Sequence, residues 1–298
     1  MEEIMKYSGP DILKMVDNYA PGPEKLAMWW LGQSGFAVKS HNTVLYLDPY
    51  LSTRLERRTK DKPLARHIRM MPPPVNPHDI KNADYIICSH NHGDHLDPET
   101  VIPMLESSER AKLVVPPAAV SAAIAFGIGK DRIISVGVGD HVRLGDLTVE
   151  AVPGKHNEFD FDPVTGYPYV GFIIKFNNIT IYHAGDTIYY HGIEEWLNSH
   201  AIDIALLPIN GGEMDRVKRG FMSNLQFWEA ADLAAQLKVK LVIPVHYDMF
   251  TINIENVERF EYYMEKKYPW LKYTAPVIGE PIEFDAGKDE GQKEVTGI

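Results

Sequence analysis

The chain has 298 residues, of which 45% are hydrophobic and 24% charged, the balance of an ordinary folded protein and not of a disordered or fibrous one. Its 30 Lys and Arg against 41 Asp and Glu leave a formal charge of -11, which disfavours nucleic-acid backbones and anionic lipid as partners. The single cysteine, Cys88, excludes an intrachain disulfide framework and, inside the apolar run from Asp84, reads as a buried inert thiol.

Residues 10–19 predict a short helix carrying Ile12, Leu13, Met15 and Val16, broken by Pro21-Gly22-Pro23, and 1–25 as a whole reads as an N-terminal appendage. No basic segment followed by an apolar core opens the chain, and no apolar run approaches a membrane span, so a soluble cytoplasmic protein is expected. Strands at 27–31, 36–39 and 43–47 form an expected meander. Residues 51–82 show no periodicity, and their first part holds Arg54, Arg57, Arg58, Lys60, Lys62, Arg66 and Arg69 against only Glu56 and Asp61. A long irregular stretch of opposite charge to the whole predicts an inserted basic loop or lid.

After a strand at 84–88, helices are predicted at 97–106 and 118–126 and strands at 113–115, 132–136 and 147–152. Strands at 170–176, 179–182 and 202–208 follow, then a helix at 224–237, a strand at 241–245 and a helix at 254–267. Two β-rich halves with later helices predict two sheets packed together with helices outside, in one domain spanning 1–298 with a frayed polar tail at 288–298.

Chemistry concentrates in Ser89-His90-Asn91-His92-Gly93-Asp94-His95, where three imidazoles and a carboxylate crowd into six residues directly after an apolar strand. Imidazole is the commonest protein ligand for zinc-like ions, and carboxylate joins it readily. A tight turn lets His90 and His92 aim at one ion and Asp94 and His95 at a second, with Gly93 allowing the backbone to curl between them. Such a site needs ligands from other strand ends. They are present as His156 after the 147–152 strand, Asp186 in Ala184-Gly185-Asp186-Thr187, and His246 after Val245, placements that support one another.

The order H-x-H-x-D-H, then a His, then an Asp in a G-D-T turn, then a late His resembles the metallo-β-lactamase superfamily over residues 29–250. Trp30-Leu31-Gly32-Gln33-Ser34-Gly35-Phe36, Tyr46-Leu47-Asp48-Pro49-Tyr50 and Pro244-Val245-His246-Tyr247-Asp248 resemble the branch that contains L-ascorbate-6-phosphate lactonase. The resemblance implies an α/β fold, the αββα four-layer sandwich with two mixed β-sheets flanked by helices. It implies two divalent ions, with His90, His92 and His156 on the first, Asp94, His95 and His246 on the second, and Asp186 bridging. It further implies that Asp94 is catalytic, orienting an attacking hydroxide held between the ions and carrying its proton to the leaving oxygen. The lactonase branch implies Mn2+, while nitrogen-rich ligation favours Zn2+.

The expected function is two-metal hydrolysis of a small anionic ester or lactone, such as a phosphorylated sugar lactone. His92 stands where oxygen-reducing diiron relatives carry a carboxylate, which favours hydrolysis over redox chemistry. The alternatives are a metal-dependent phosphodiesterase or nuclease of the same superfamily, which the -11 charge opposes, and a non-catalytic metal-binding scaffold, which the complete ligand set opposes. The basic segment Arg54–Arg69 with Arg216, Lys218 and Arg219 either grips the substrate anion or forms a solvated face or subunit contact, and Tyr247 is expected at a pocket wall. His183 either supports a ligand or is simply buried in its strand. His41, His67, His78, His141, His191 and His200 read as structural or solvated, and the segments 1–25 and 51–80 make homo-oligomerisation an expectation.

Overall fold

The computed structural model describes residues 7–176 and 178–287, so the tail expected to fray at 288–298 lies outside the described residues. Helix α1 (Gly9–Asn18) starts at Ser8, whose hydroxyl accepts from the Asp11 amide, the usual way of satisfying an orphan N–H at a helix start. It is not a loose appendage. Ile12 and Val16, one turn apart, are fully buried in the main core, Tyr19 packs edge-on against Trp29 at 5.7 Å, and the Asn82 amide donates to Asp17.

The expected meander follows as β1 (Lys25–Gly32), β2 (Gly35–Lys39) and β3 (Val44–Leu47). The basic segment contains helix α2 (Arg54–Arg58) and a 3-10 turn at Pro77–Asp79. β4 (Tyr85–Ile87), α3 (Pro98–Ser107), β5 (Lys112–Val115), α4 (Pro117–Ala125) and β6 (Ile133–Ser135) complete the first half. The second half runs β7 (His141–Leu144), β8 (Leu147–Pro153), β9 (Val170–Phe176), β10 (Ile179–His183), α5 (Ile193–Leu197), β11 (Ile204–Pro208), α6 (Met214–Lys218), α7 (Phe227–Gln236), β12 (Leu241–Val245), α8 (Val257–Lys267) and β13 (Lys272–Tyr273). The last strand, β14 (Pro281–Asp285), returns to the first half.

These strands make the two mixed sheets expected. The first has the order β14-β1-β2-β3-β4-β5-β6 and the second β13-β12-β11-β10-β9-β8-β7. In the first, β14 to β3 pair antiparallel and β3 to β6 parallel; in the second, β7 to β10 pair antiparallel and β10 to β13 parallel. Every residue of β3, β10, β11 and β12 is buried, as continuous apolar strands require when one face meets a sheet and the other a helix layer. β7 alternates in burial instead, as suits the edge strand it is.

The helix expected from 224 begins at Phe227, because Gln226 and Glu229 form a reciprocal capping box there and Asn210 bridges to Gln226 across the neck of the preceding loop. α8 likewise starts three residues later than expected, at Val257, capped by Asn256, whose side chain accepts from the Glu258 amide.

Candidate metal centre

Parallel strands within a sheet bring their carboxyl ends to a single edge, the usual place for a site in α/β folds. Here the loop after β4 carries His90, His92, Asp94 and His95, the loop after β8 carries His156, the turn after β10 carries Asp186, and β12 leads directly into His246. The structure gathers all seven. His90, His92, His156 and Asp186 form one group and Asp94, His95 and His246 a second, with the candidate ligand atoms of each group within 4.8 Å of one another.

Asp186 stands between the groups. Its Oδ2 lies 3.5 Å from His156 Nε2 and 4.0 Å from His90 Nε2, and its Oδ1 lies 3.3 Å from both His95 Nε2 and His246 Nε2. Asp94 Oδ2 closes the second group at 3.5 Å from His246 Nε2 and 3.9 Å from His95 Nε2. Two ligands about 2.1 Å from one tetrahedral ion stand roughly 3.4 Å apart, and the 3.3–4.0 Å distances around Asp186 and Asp94 are close to that spacing. The buried Nε2 atoms of His90 and His95 and Asp186 Oδ1 have no hydrogen-bond partner among the described residues, as expected of atoms shaped for a cation.

The electrostatics separate the groups. Burial, reinforced by His95 and His92, drives the His90 imidazole well below its ordinary pKa, and burial lowers His156 to about 4, so both are neutral donors. Burial would also lower His246, but Asp186 and Asp94 beside it raise it to about 9. Burial opposes ionisation of Asp186, yet His246 and His95 hold it well below the usual carboxylate range.

Asp48, at the end of β3, supports both groups although the sequence singled it out only as part of a flanking motif. Fully buried, its Oδ2 lies 2.8 Å from His95 Nδ1 and 2.7 Å from His183 Nε2, and it accepts from the Ser89 hydroxyl at 2.7 Å. Ser89 Oγ in turn lies 2.9 Å from His90 Nδ1. This resolves His183, whose imidazole holds the carboxylate that holds a ligand. His156 is oriented by the Ser223 carbonyl, 2.9 Å from its Nδ1, and the ring of Tyr169 lies edge-on to His90, His92 and His156 at 5.2–5.5 Å.

Three site residues have left-handed backbone, Gln33 (φ 54°), Asp48 (φ 34°) and His246 (φ 62°), and strain of this kind concentrates at functional sites. Gly185 also has φ 59°, and a Cβ there would lie 2.7 Å from Ser89 Cβ, so only glycine lets the Asp186 turn approach the histidine loop. Gly93 works differently from expectation. It is absent from the residues with positive φ, and the space a Cβ would fill is taken by Leu55, whose Cδ2 lies 3.0 Å away. The glycine admits α2 and is not there to curl the chain.

The residues expected to meet substrate are engaged elsewhere. Arg216 is buried and donates to the Asn210 carbonyl, and Arg219 pairs with Asp215 at 2.7 Å and reaches the Leu64 carbonyl at 3.5 Å. Tyr247 is buried and stacks on Trp30, with centroids 5.6 Å apart. Within the basic segment, half-buried Arg69 donates to the carbonyls of Met71 and Ser52 and so ties the segment's ends together, while the Met70 amide donates to the Met249 carbonyl. Arg54 lies beside Gly93, with Nη1 3.7 Å from the position of its absent Cβ.

Two mixed sheets flanked by helices, with a buried His and Asp cluster at their strand ends, define an α/β sandwich built around a candidate metal centre. A profile of the Beta-lactamase superfamily domain matches residues 43–247, and the chain belongs to that superfamily. A protein assigned as L-ascorbate-6-phosphate lactonase from Escherichia fergusonii is 26% identical over 289 residues, covering 86% of this chain and 78% of that protein. Among solved structures, Igni18, a metallo hydrolase from Ignicoccus hospitalis, aligns with a TM-score of 0.65 at 20% identity, covering 88% of this chain and 99% of that one. An isothiocyanate hydrolase from Delia radicum gut bacteria aligns at 0.66 and 18% identity, covering 88% and 100%. At these identities the two structures share the fold with this chain. No helix among the described residues is long and apolar enough to cross a membrane.

Proposed function

We propose that the protein is a two-metal-dependent hydrolase of a small anionic ester or lactone, with a phosphorylated sugar lactone as the leading substrate class. The observation that carries the reading is the division of Asp186, whose Oδ2 faces His90 and His156 and whose Oδ1 faces His95 and His246. In this reading His90, His92 and His156 hold one divalent ion, Asp94, His95 and His246 the other, and Asp186 belongs to both. Such a pair of cations would lower the pKa of a water molecule towards neutrality and draw charge onto the carbonyl or phosphoryl oxygen.

The chain supplies the rest. Asp94 is the one carboxylate of the second group with an appreciably open side chain, 15% exposed, and is assigned to orient the attacking water and accept its proton. Arg54 beside the His92–Asp94 turn provides positive charge for an anionic group at the rim. The lactonase relative supports the lactone class; the resemblance carried by the flanking motifs implies Mn2+, whereas the imidazole-rich ligands favour Zn2+. A phosphorylated metabolite as substrate would suit a cytoplasmic enzyme.

Elemental analysis of the purified protein and of His92→Ala, with lactone and phosphodiester panels assayed after Zn2+ or Mn2+ loading, tests the proposal. Two ions per chain, fewer in the variant, and metal-dependent lactone turnover are expected. No bound metal under either loading overturns the reading, and turnover of phosphodiesters alone would replace the substrate class.

A further inference from the structure

Gln33 lies in the Gly32-Gln33-Ser34-Gly35 turn between β1 and β2 and is fully buried, yet no apolar packing accounts for its amide. Its Nε2 donates to Asp94 Oδ2 at 2.8 Å and lies 3.0 Å from His246 Nε2, so the amide spans two of the three ligands of the second group. Its Oε1 is buried and has no hydrogen-bond partner among the described residues. The backbone is committed to the same place. The Gln33 carbonyl accepts from Trp30 Nε1 at 3.0 Å and from the His246 amide at 3.1 Å, and φ of 54° holds the residue in a conformation that most side chains adopt only at a cost.

The contact with Asp94 is selective. The oxygen that Gln33 binds, Oδ2, is the one aimed at His95 and His246. An N–H donated to one lone pair of that oxygen leaves its other lone pair for a cation, and it fixes the plane of the carboxylate. Without that donor, Asp94 is free to rotate about its side-chain torsions, because its remaining polar neighbours in the group are the imidazoles it would share the ion with.

We propose that Gln33 is a positioning residue of the second ion pocket, holding Asp94 Oδ2 toward His95 and His246. The inference rests on the two-metal reading and adds to it a residue that is not itself a ligand. It also gives the unpartnered Oε1 a role, as an acceptor for a water or substrate hydroxyl entering beside the second ion.

Gln33→Asn and Gln33→Gly test this, since both residues tolerate the left-handed backbone and both keep the two hydrogen bonds to the residue 33 carbonyl. Metal-free wild type and variants are titrated with Co2+ while heat and visible absorption are recorded, and kcat and KM are then measured on the most active lactone of the panel. The first equivalent of Co2+ should bind as in wild type. The second should bind about 10- to 100-fold more weakly and with an altered absorption band, the range seen when a partner of a metal ligand is removed. kcat should fall over a similar range while KM stays within about threefold, as for a group that acts in the transition state and not in substrate binding. Wild-type affinity and spectrum for the second equivalent in both variants would overturn the proposal. Loss of cooperative unfolding in both variants would overturn it too, by making Gln33 an element of the fold. Fewer than two Co2+ bound by wild type would instead remove the two-metal reading itself.

Discussion

Asp48 Oδ2 lies 2.8 Å from His95 Nδ1, so a carboxylate directly after β3 fixes the ring orientation of a candidate ligand in the loop after β4. The same oxygen meets His183 and Ser89. Asn in place of Asp48 keeps the size and tolerates the positive φ, but its amide nitrogen cannot accept. Asp48→Asn should weaken metal binding by about 10- to 100-fold and destabilise the metal-free protein by about 2 kcal/mol through buried donors left unpaired. Calorimetric metal titration and urea unfolding measure the two effects, and unchanged metal affinity would confine Asp48 to a role in folding.

Leu55 occupies the place of a Gly93 side chain. Gly93→Ala asks Leu55 to move by a few tenths of an ångström and should cost under about 1 kcal/mol, whereas the branched Gly93→Val should cost roughly 1–3 kcal/mol, the range for overpacking a filled site. Adding Leu55→Ala to Gly93→Val should recover part of that loss. Additive losses in the double variant would show that α2 does not seat on the histidine turn.

The ligand segments are legible in the sequence because each is a local pattern, an apolar strand followed within a few residues by His or Asp. The supports are not. Asp48 meets Ser89 across 41 residues and His183 across 135, and nothing in the neighbourhood of Asp48 announces that β3 pairs with β4. Gln33 left a fainter signal, a polar residue in a tight turn between apolar strands, which reads as an ordinary hairpin until His246 is brought beside it. Arg216, Arg219 and Tyr247 are the reverse case, with protein contacts that the sequence did not announce. Charge and aromaticity near a site suggest substrate contact, but whether such a side chain is free depends on carbonyls and rings that only the folded chain supplies. The short elements β7, α5, α6, β13 and β14 escaped for a related reason, being too brief or too polar to show a period of their own.

Cation binding should stabilise the fold, because the ligands come from loops of both sheets and converge only in the native state. At 1,000 times the dissociation constant an ion contributes about 4 kcal/mol, which at roughly 2–4 °C per kcal/mol for large domains raises the unfolding midpoint by about 10 °C. Scanning calorimetry with Zn2+ and then with excess chelator checks this. A midpoint indifferent to both would contradict the assigned centre.

Away from the centre, Glu150 on β8 takes Lys175 Nζ at 3.2 Å and His141 Nδ1 at 3.1 Å. Burial alone would raise its carboxyl, but the Lys175 ammonium, helped by His141, outweighs burial and holds it below its ordinary value of 4.5. A depressed folded-state value means that the contribution to stability is complete above 4.5 and disappears as pH falls through the folded-state pKa. Glu150→Gln should therefore be less stable than wild type by up to about 1 kcal/mol at pH 7, with the difference closing in acid. Urea unfolding across that pH range measures it, and a difference independent of pH would assign the effect to packing.

The pairing of β1 with β14 has a consequence for how the protein is made. The first strand of the first sheet waits for β14, the last strand among the described residues, so β1 presents a bare, apolar edge while the whole second sheet is being extruded. Folding of the amino-terminal half is therefore finished last, and a ribosome stalled anywhere between β13 and β14 would leave a sheet with an open side, exposed to chaperones or to another nascent chain.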